Sequence, residues 1–131
     1  MNTHKLLQAA LILFGVVCCL VYPLAIVWPS GWAWHEGSPA GSNYFLMIVG
    51  VYATLGIFLI RAAADPQANR SLILFAIWSS LVHGLIMGAQ SFAQPMHMGH
   101  IPGDVSALLI MAAVLAWLLH ADRARAADAP A

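Results

Sequence analysis

The segment Pro95-Met-His-Met-Gly-His100 places two imidazoles and two thioethers in one short stretch, with a carboxylate at Asp104 just beyond it. Imidazole with thioether suits soft and borderline metals such as copper, and imidazole with carboxylate suits zinc. His97, His100, Met96, Met98 and Asp104 are therefore candidate metal ligands, with copper or zinc as the candidate metals. The spacing matches no zinc-finger or metalloprotease pattern. The competing reading is an interfacial loop whose histidines are solvated and whose methionines dip into lipid headgroups. Asp104 also has a purely structural use, because Pro102-Gly103-Asp104 ahead of an apolar run is a helix start whose carboxylate can cap exposed amides.

A second chemical feature is His83, which sits deep inside an apolar run. Stepping along a helix at 100° per residue puts Ser79, His83, Met87, Gln90 and Gln94 within roughly 40° of a common direction. Ser79, His83, Met87 and Gln90 are the candidate ligand-binding residues, and His83 joins the candidate metal set. The plainer role for His83 is a neutral imidazole bonded to a hydroxyl on a neighbouring helix, with Tyr22, Tyr52 and Thr54 as partners. Beside the stripe runs Ala76, Ser80, Gly84 and Gly88, a ridge of small residues that permits close approach of another helix.

The elements that must carry these groups follow from composition. Of 131 residues, 62% are hydrophobic and 8% charged, with five basic against five acidic side chains. The mean hydropathy is +0.83. A soluble domain carries about 25% charged residues, so this composition belongs to a membrane protein. Zero formal charge leaves no basic footprint for nucleic acid. Spanning a hydrocarbon core takes about 20 apolar residues, and the chain supplies four such runs: 6–28, 44–64, 71–93 and 105–120. The reading is an all-α, integral membrane, four-helix antiparallel bundle forming a single domain over 1–131. The fourth run is the shortest, so it is expected to begin in the headgroup region or to cross with little tilt. The first run exceeds the length of a cleavable signal and no small-x-small site follows it, so it is read as a retained span. Cys18 and Cys19 lie inside it and are read as small packing residues.

Lys5, Arg61, Arg70, Arg123 and Arg125 all fall on one end of an up-down-up-down bundle. Short loops rich in Lys and Arg stay in the cytoplasm, so both termini are predicted to be cytoplasmic. The opposite end gathers His35, Glu36, His97, His100 and Asp104 without any Lys or Arg, and Trp28, Trp32, Trp34 and Tyr44 form an aromatic belt there.

The Tyr22-Pro23 pair ending the first helix, the Trp78-Ser79-Ser80 sequence leading to His83-Gly84, and His100 leading to Gly103-Asp104-Val105 resemble a bacterial family of small four-span membrane proteins of unknown function. The resemblance implies a four-helix protein of the bacterial inner membrane with no assigned activity and no catalytic residues to carry over. Protein-only catalysis is not expected, since the chain lacks a phosphate loop, a nucleophile elbow and paired buried carboxylates. Three readings follow. The first is a small membrane protein whose outward-facing His/Met/Gln pocket binds a metal ion or small ligand. The second is an accessory or scaffolding subunit, in a homo-oligomer or larger complex, associating through the small-residue ridge. The third is a haem- or quinone-linked redox protein. Haem is the weaker cofactor candidate, because no second histidine shares the depth of His83; His4 and His120 belong to the basic end.

Overall fold

The computed structural model describes residues 2–32 and 38–127. Five α-helices follow in order: α1 (Thr3–Cys19), α2 (Val21–Val27), α3 (Asn43–Ala62), α4 (Arg70–Ala93) and α5 (Ser106–Ala127). No strand occurs among the described residues. Helices α3, α4 and α5 are long and apolar enough to cross a membrane, and α1 with α2, bent by 61° at their junction, makes a fourth if the pair is counted as one broken span.

That bend corrects the continuous first helix expected over 6–28. Pro23 lacks an amide hydrogen, and in a continuous helix its ring would clash with the carbonyl four residues back, at Cys19. Helix α1 accordingly ends at Cys19, and α2 restarts after Leu20, whose amide bonds back to Val16 and Val17. A second correction concerns the last helix. It runs 22 residues to Ala127 instead of stopping near 120. Hydropathy falls at Asp122 and Arg123, but Ala and Arg are strong helix formers, so the helix outlasts the apolar stretch.

Antiparallel packing is fixed by contacts near the helix ends. Gln8 at the start of α1 donates to the Ala63 carbonyl just after α3 (2.8 Å), and His4 lies 3.4 Å from Asp122 on α5. Helix α1 packs against α3 and α5, α5 packs against α4, and α3 and α4 approach only sparsely. Leu7, Leu11, Leu59, Ile73 and Leu115 are fully buried where the four long helices meet. A smaller cluster of Val21, Ala25 and Phe45 joins α2 to α3.

The outward faces are apolar. Met47, Val51, Phe58, Phe75, Trp78 and Trp117 are each more than half exposed, a surface compatible with lipid contact. In such a setting burial of apolar area does not drive helix association, because lipid is as apolar as Leu; close van der Waals packing does. The closest packing is a glycine crossing of α1 on α3. A Cβ built on Gly15 would lie 2.7 Å from the Gly56 carbonyl oxygen, and one on Gly56 would lie 2.7 Å from Cys19 Sγ. Cys19 completes the crossing by donating its thiol to the Ala53 carbonyl at 3.7 Å. The small residues of α4 face α5: Ala76, Ser80 and Gly84 are buried, and a Cβ on Gly84 would meet the Leu109 side chain at 3.0 Å. Ala76, Ser80 and Gly84 of the ridge are therefore packed inside the chain.

Candidate functional site

The end of the bundle away from the lysine and arginines is built from two loops that interlock. Pro29–Trp32 forms a tight 3-10 turn after α2, and Pro95–His100 forms another after α4. The chain then opens into a wide π turn at Ile101–Val105, where Gly103 leaves helical geometry (φ −97°, ψ −114°). Pro102 removes one amide from the helical ladder, and the Ser106 hydroxyl closes the turn by donating to the Ile101 carbonyl at 2.6 Å. Gly103 sits directly against the Gly31 carbonyl, so close that no Cβ fits there. Gly31 in turn lies under the Trp28 indole, 2.6 Å from where its own Cβ would fall. Two glycines thus press the Pro29–Trp32 turn onto the loop that carries the histidines. The remaining candidates of the first loop, Trp34, His35 and Glu36, lie outside the described residues.

Within this frame the His100 Nδ1–H donates to the Asp104 carboxylate, 3.0 Å from both oxygens. Asp104 Oδ1 also accepts the Val105 amide at 3.0 Å. The capping role expected for Asp104 is therefore joined to a second one, holding an imidazole. The bond at Nδ1 leaves His100 Nε2 with its lone pair free to act as ligand or acceptor, the tautomer that a carboxylate partner imposes. His97 stands beside it, with ring centres 6.0 Å apart and planes inclined by 38°.

Below these rings a cavity of about 90 Å³ is lined by Met87, Gln90, Ser91, His97 and His100. Helix α4 supplies the first three from adjacent turns of one face, as the stripe implied. Ser91 is fully buried and donates to the Met87 carbonyl at 2.8 Å, which leaves its oxygen able to accept. It was missing from the expected set, although its place one turn beyond Met87 on the same face was the signal for it.

The lower half of the stripe does not reach this cavity. His83 Nδ1 is hydrogen-bonded to the Tyr52 hydroxyl on α3 at 2.8 Å, the partner anticipated by the plainer reading, and spans the sparse seam between α3 and α4. Ser79 turns its hydroxyl back to the Ala76 carbonyl at 3.3 Å. Neither lines the cavity. Met96 and Met98 are exposed and also lie outside its lining. Among the described residues no three His, Cys, Asp or Glu side chains are grouped as metal ligands. Of the sequence-level candidates, the structure brings together Met87, Gln90, His97 and His100, with Asp104 behind His100; His83, Ser79, Met96 and Met98 stand apart.

The opposite end carries a polar cluster that sequence reasoning missed. Asp122 is buried, 7% exposed, and receives the Gln67 amide at 2.5 Å as well as His4. Its members come from three separate parts of the chain, so no local pattern announces them. Asp122 ties the N-terminus of α1 and the α3 to α4 loop to α5.

No curated protein and no solved structure matches the chain. A family model does match, over residues 1–130, and its description assigns no activity. The chain belongs to the family of unknown function DUF6632.

Proposed function

We propose that this protein is an integral membrane protein that binds a small polar ligand, a soft or borderline metal ion in the first place, in the cavity between α4 and the 95–105 loop. The carrying observation is the His100–Asp104 pair beside a cavity lined by His97, Met87, Gln90 and Ser91. A carboxylate bound to the remote nitrogen of an imidazole is the usual support of a metal-binding histidine. A metal about 2.0 Å from an imidazole nitrogen sits about 3 Å from the ring centre. Two rings 6.0 Å apart are thus within reach of one ion between them. The Met87 thioether and the Gln90 amide, with water, are the donors available to complete the set, and imidazole with thioether favours copper over harder ions.

Size supports the same reading. Cofactor pockets occupy about 300–1,000 Å³, and a cavity of about 90 Å³ suits a hydrated ion or a molecule of a few heavy atoms. Haem or a quinone headgroup does not fit it, and His83, the one histidine within the apolar length of α4, is already bonded to Tyr52. Under the charge rule for short loops, the end bearing Lys5, Arg61, Arg70, Arg123 and Arg125 is cytoplasmic. The site then opens to the far side of a bacterial inner membrane, where it would meet an extracytoplasmic ion.

The test is titration of the purified protein with copper and with zinc, alongside His97→Ala and His100→Ala. Stoichiometric binding that is lost in both variants supports the reading. Absence of any stoichiometric metal, or binding unchanged by both substitutions, removes it.

A further inference from the structure

At the basic end, a cleft of about 210 Å³ opens between α4 and α5. Arg70, His120 and Arg123 line it together with Leu74, Ile77 and Leu119. Trp78 lies two helical turns, about 12 Å, further along α4 from Arg70. The cleft is therefore cationic at the level where helices begin and apolar at the level of acyl chains. Three observations distinguish it from an ordinary seam. Arg70 Nε is buried without a hydrogen-bond partner among the described residues, a costly arrangement for a charge-bearing group. Neither Arg70 nor Arg123 forms an ion pair among those residues. The described carboxylates of that end are engaged elsewhere: Asp122 holds His4 and Gln67, and Asp65 accepts the Ala68 amide at 3.0 Å.

We infer that this cleft holds one anionic phospholipid, its phosphate between Arg70 and Arg123 and an acyl chain along Leu74, Ile77 and Trp78. Guanidinium groups match phosphate oxygens geometrically, and basic pockets between membrane helices are known seats for anionic headgroups. A phosphate supplies the counter-charge that Arg70 and Arg123 lack among the described residues, which a zwitterionic lipid, carrying its own cation, does less well. The inference is independent of the cavity at the other end.

The experiment is native mass spectrometry of the delipidated protein in detergent, titrated with phosphatidylglycerol, with phosphatidylcholine of the same chains, and with inorganic phosphate. The expected result is one phosphatidylglycerol bound at least about tenfold tighter than phosphatidylcholine, with no comparable binding of inorganic phosphate. Arg70→Gln with Arg123→Gln weakens phosphatidylglycerol by about thirtyfold, and Arg123→Gln alone, at an exposed position, by about fivefold. Arg61→Gln with Arg125→Gln removes the same charge at the same end and leaves binding within about twofold. Equal affinity for the two lipids, an equal loss in the Arg61 and Arg125 pair, or inorganic phosphate bound as tightly as phosphatidylglycerol would each overturn the inference.

Discussion

Replacing Gly56 by Ala tests the packing logic of the bundle most sharply. An added Cβ would lie 2.7 Å from Cys19 Sγ and 3.0 Å from the Cys19 amide nitrogen, and it would also press on the Gly15 carbonyl. Ordinary contacts of this kind run at about 3.5 Å, so α1 and α3 must separate by several tenths of an ångström. Backbone atoms on α1 cannot yield as a side-chain tip does. Overpacking of this order costs about 1–3 kcal/mol, against a gain of about 1 kcal/mol in helix propensity from Gly to Ala. The expected net is a loss of up to about 2 kcal/mol. Gly88→Ala is the internal control, because its nearest neighbour would be Val105 Cγ1 at 3.7 Å and only the propensity gain remains. Reversible unfolding in mixed detergent micelles, followed by circular dichroism, ranks the two. Gly56→Ala less stable than wild type and Gly88→Ala equal or more stable is the predicted order. Gly56→Ala at or above wild type, or the two variants shifting together, would refute the claim that the α1–α3 glycine crossing sets the packing.

Other outcomes follow from single contacts. Gly103→Ala forces the 95–105 loop away from Gly31, and hydrogen exchange of Pro95–Val105 is expected to accelerate while α1 to α3 stay protected. Tyr52→Phe removes the bond to His83 and should destabilise the bundle by about 0.6 kcal/mol, the usual worth of an interhelical hydrogen bond in a membrane; micellar unfolding reads it, and a loss above about 3 kcal/mol would mean that the pair does more than bridge α3 and α4. Asp104→Asn keeps the shape of His100's partner but removes its charge, and should lower metal affinity by about 10- to 100-fold without abolishing binding, as measured by calorimetry. Asp122→Ala leaves His4 and Gln67 without their acceptor and should loosen the N-terminal turn of α1, seen as faster proteolysis near Thr3.

Much of the architecture was legible because hydropathy and charge act over whole helices. The four apolar runs, the gathering of every Lys and Arg at one end and the helical face of Met87 and Gln90 all depend on side-chain type and spacing alone. The break after Cys19 escaped a hydropathy reading because Pro23 is apolar enough to continue the run, while its effect falls on the backbone four residues earlier. Cys19 follows Gly15 at the small-residue spacing, but nothing local says that Gly56, rather than another span, is its partner. The ridge on α4 was visible for the same reason, and it too needed the fold to show that α5 covers it. In the candidate site, the histidines and Asp104 were singled out from residue type alone, whereas the division of the stripe at Met87 depends on where Tyr52 falls on another helix. Gly31 against Gly103 is a contact between backbones, which carries no side-chain signature at all.

The central claim, that His97 and His100 hold one ligand between them over Met87, is tested most directly by X-ray absorption at the copper edge of the loaded protein. The predicted spectrum shows two imidazole nitrogens and one sulfur, with the sulfur lost in Met87→Leu and one imidazole lost in His97→Ala. A copper bound by one imidazole or none, or a spectrum that neither substitution alters, would contradict it.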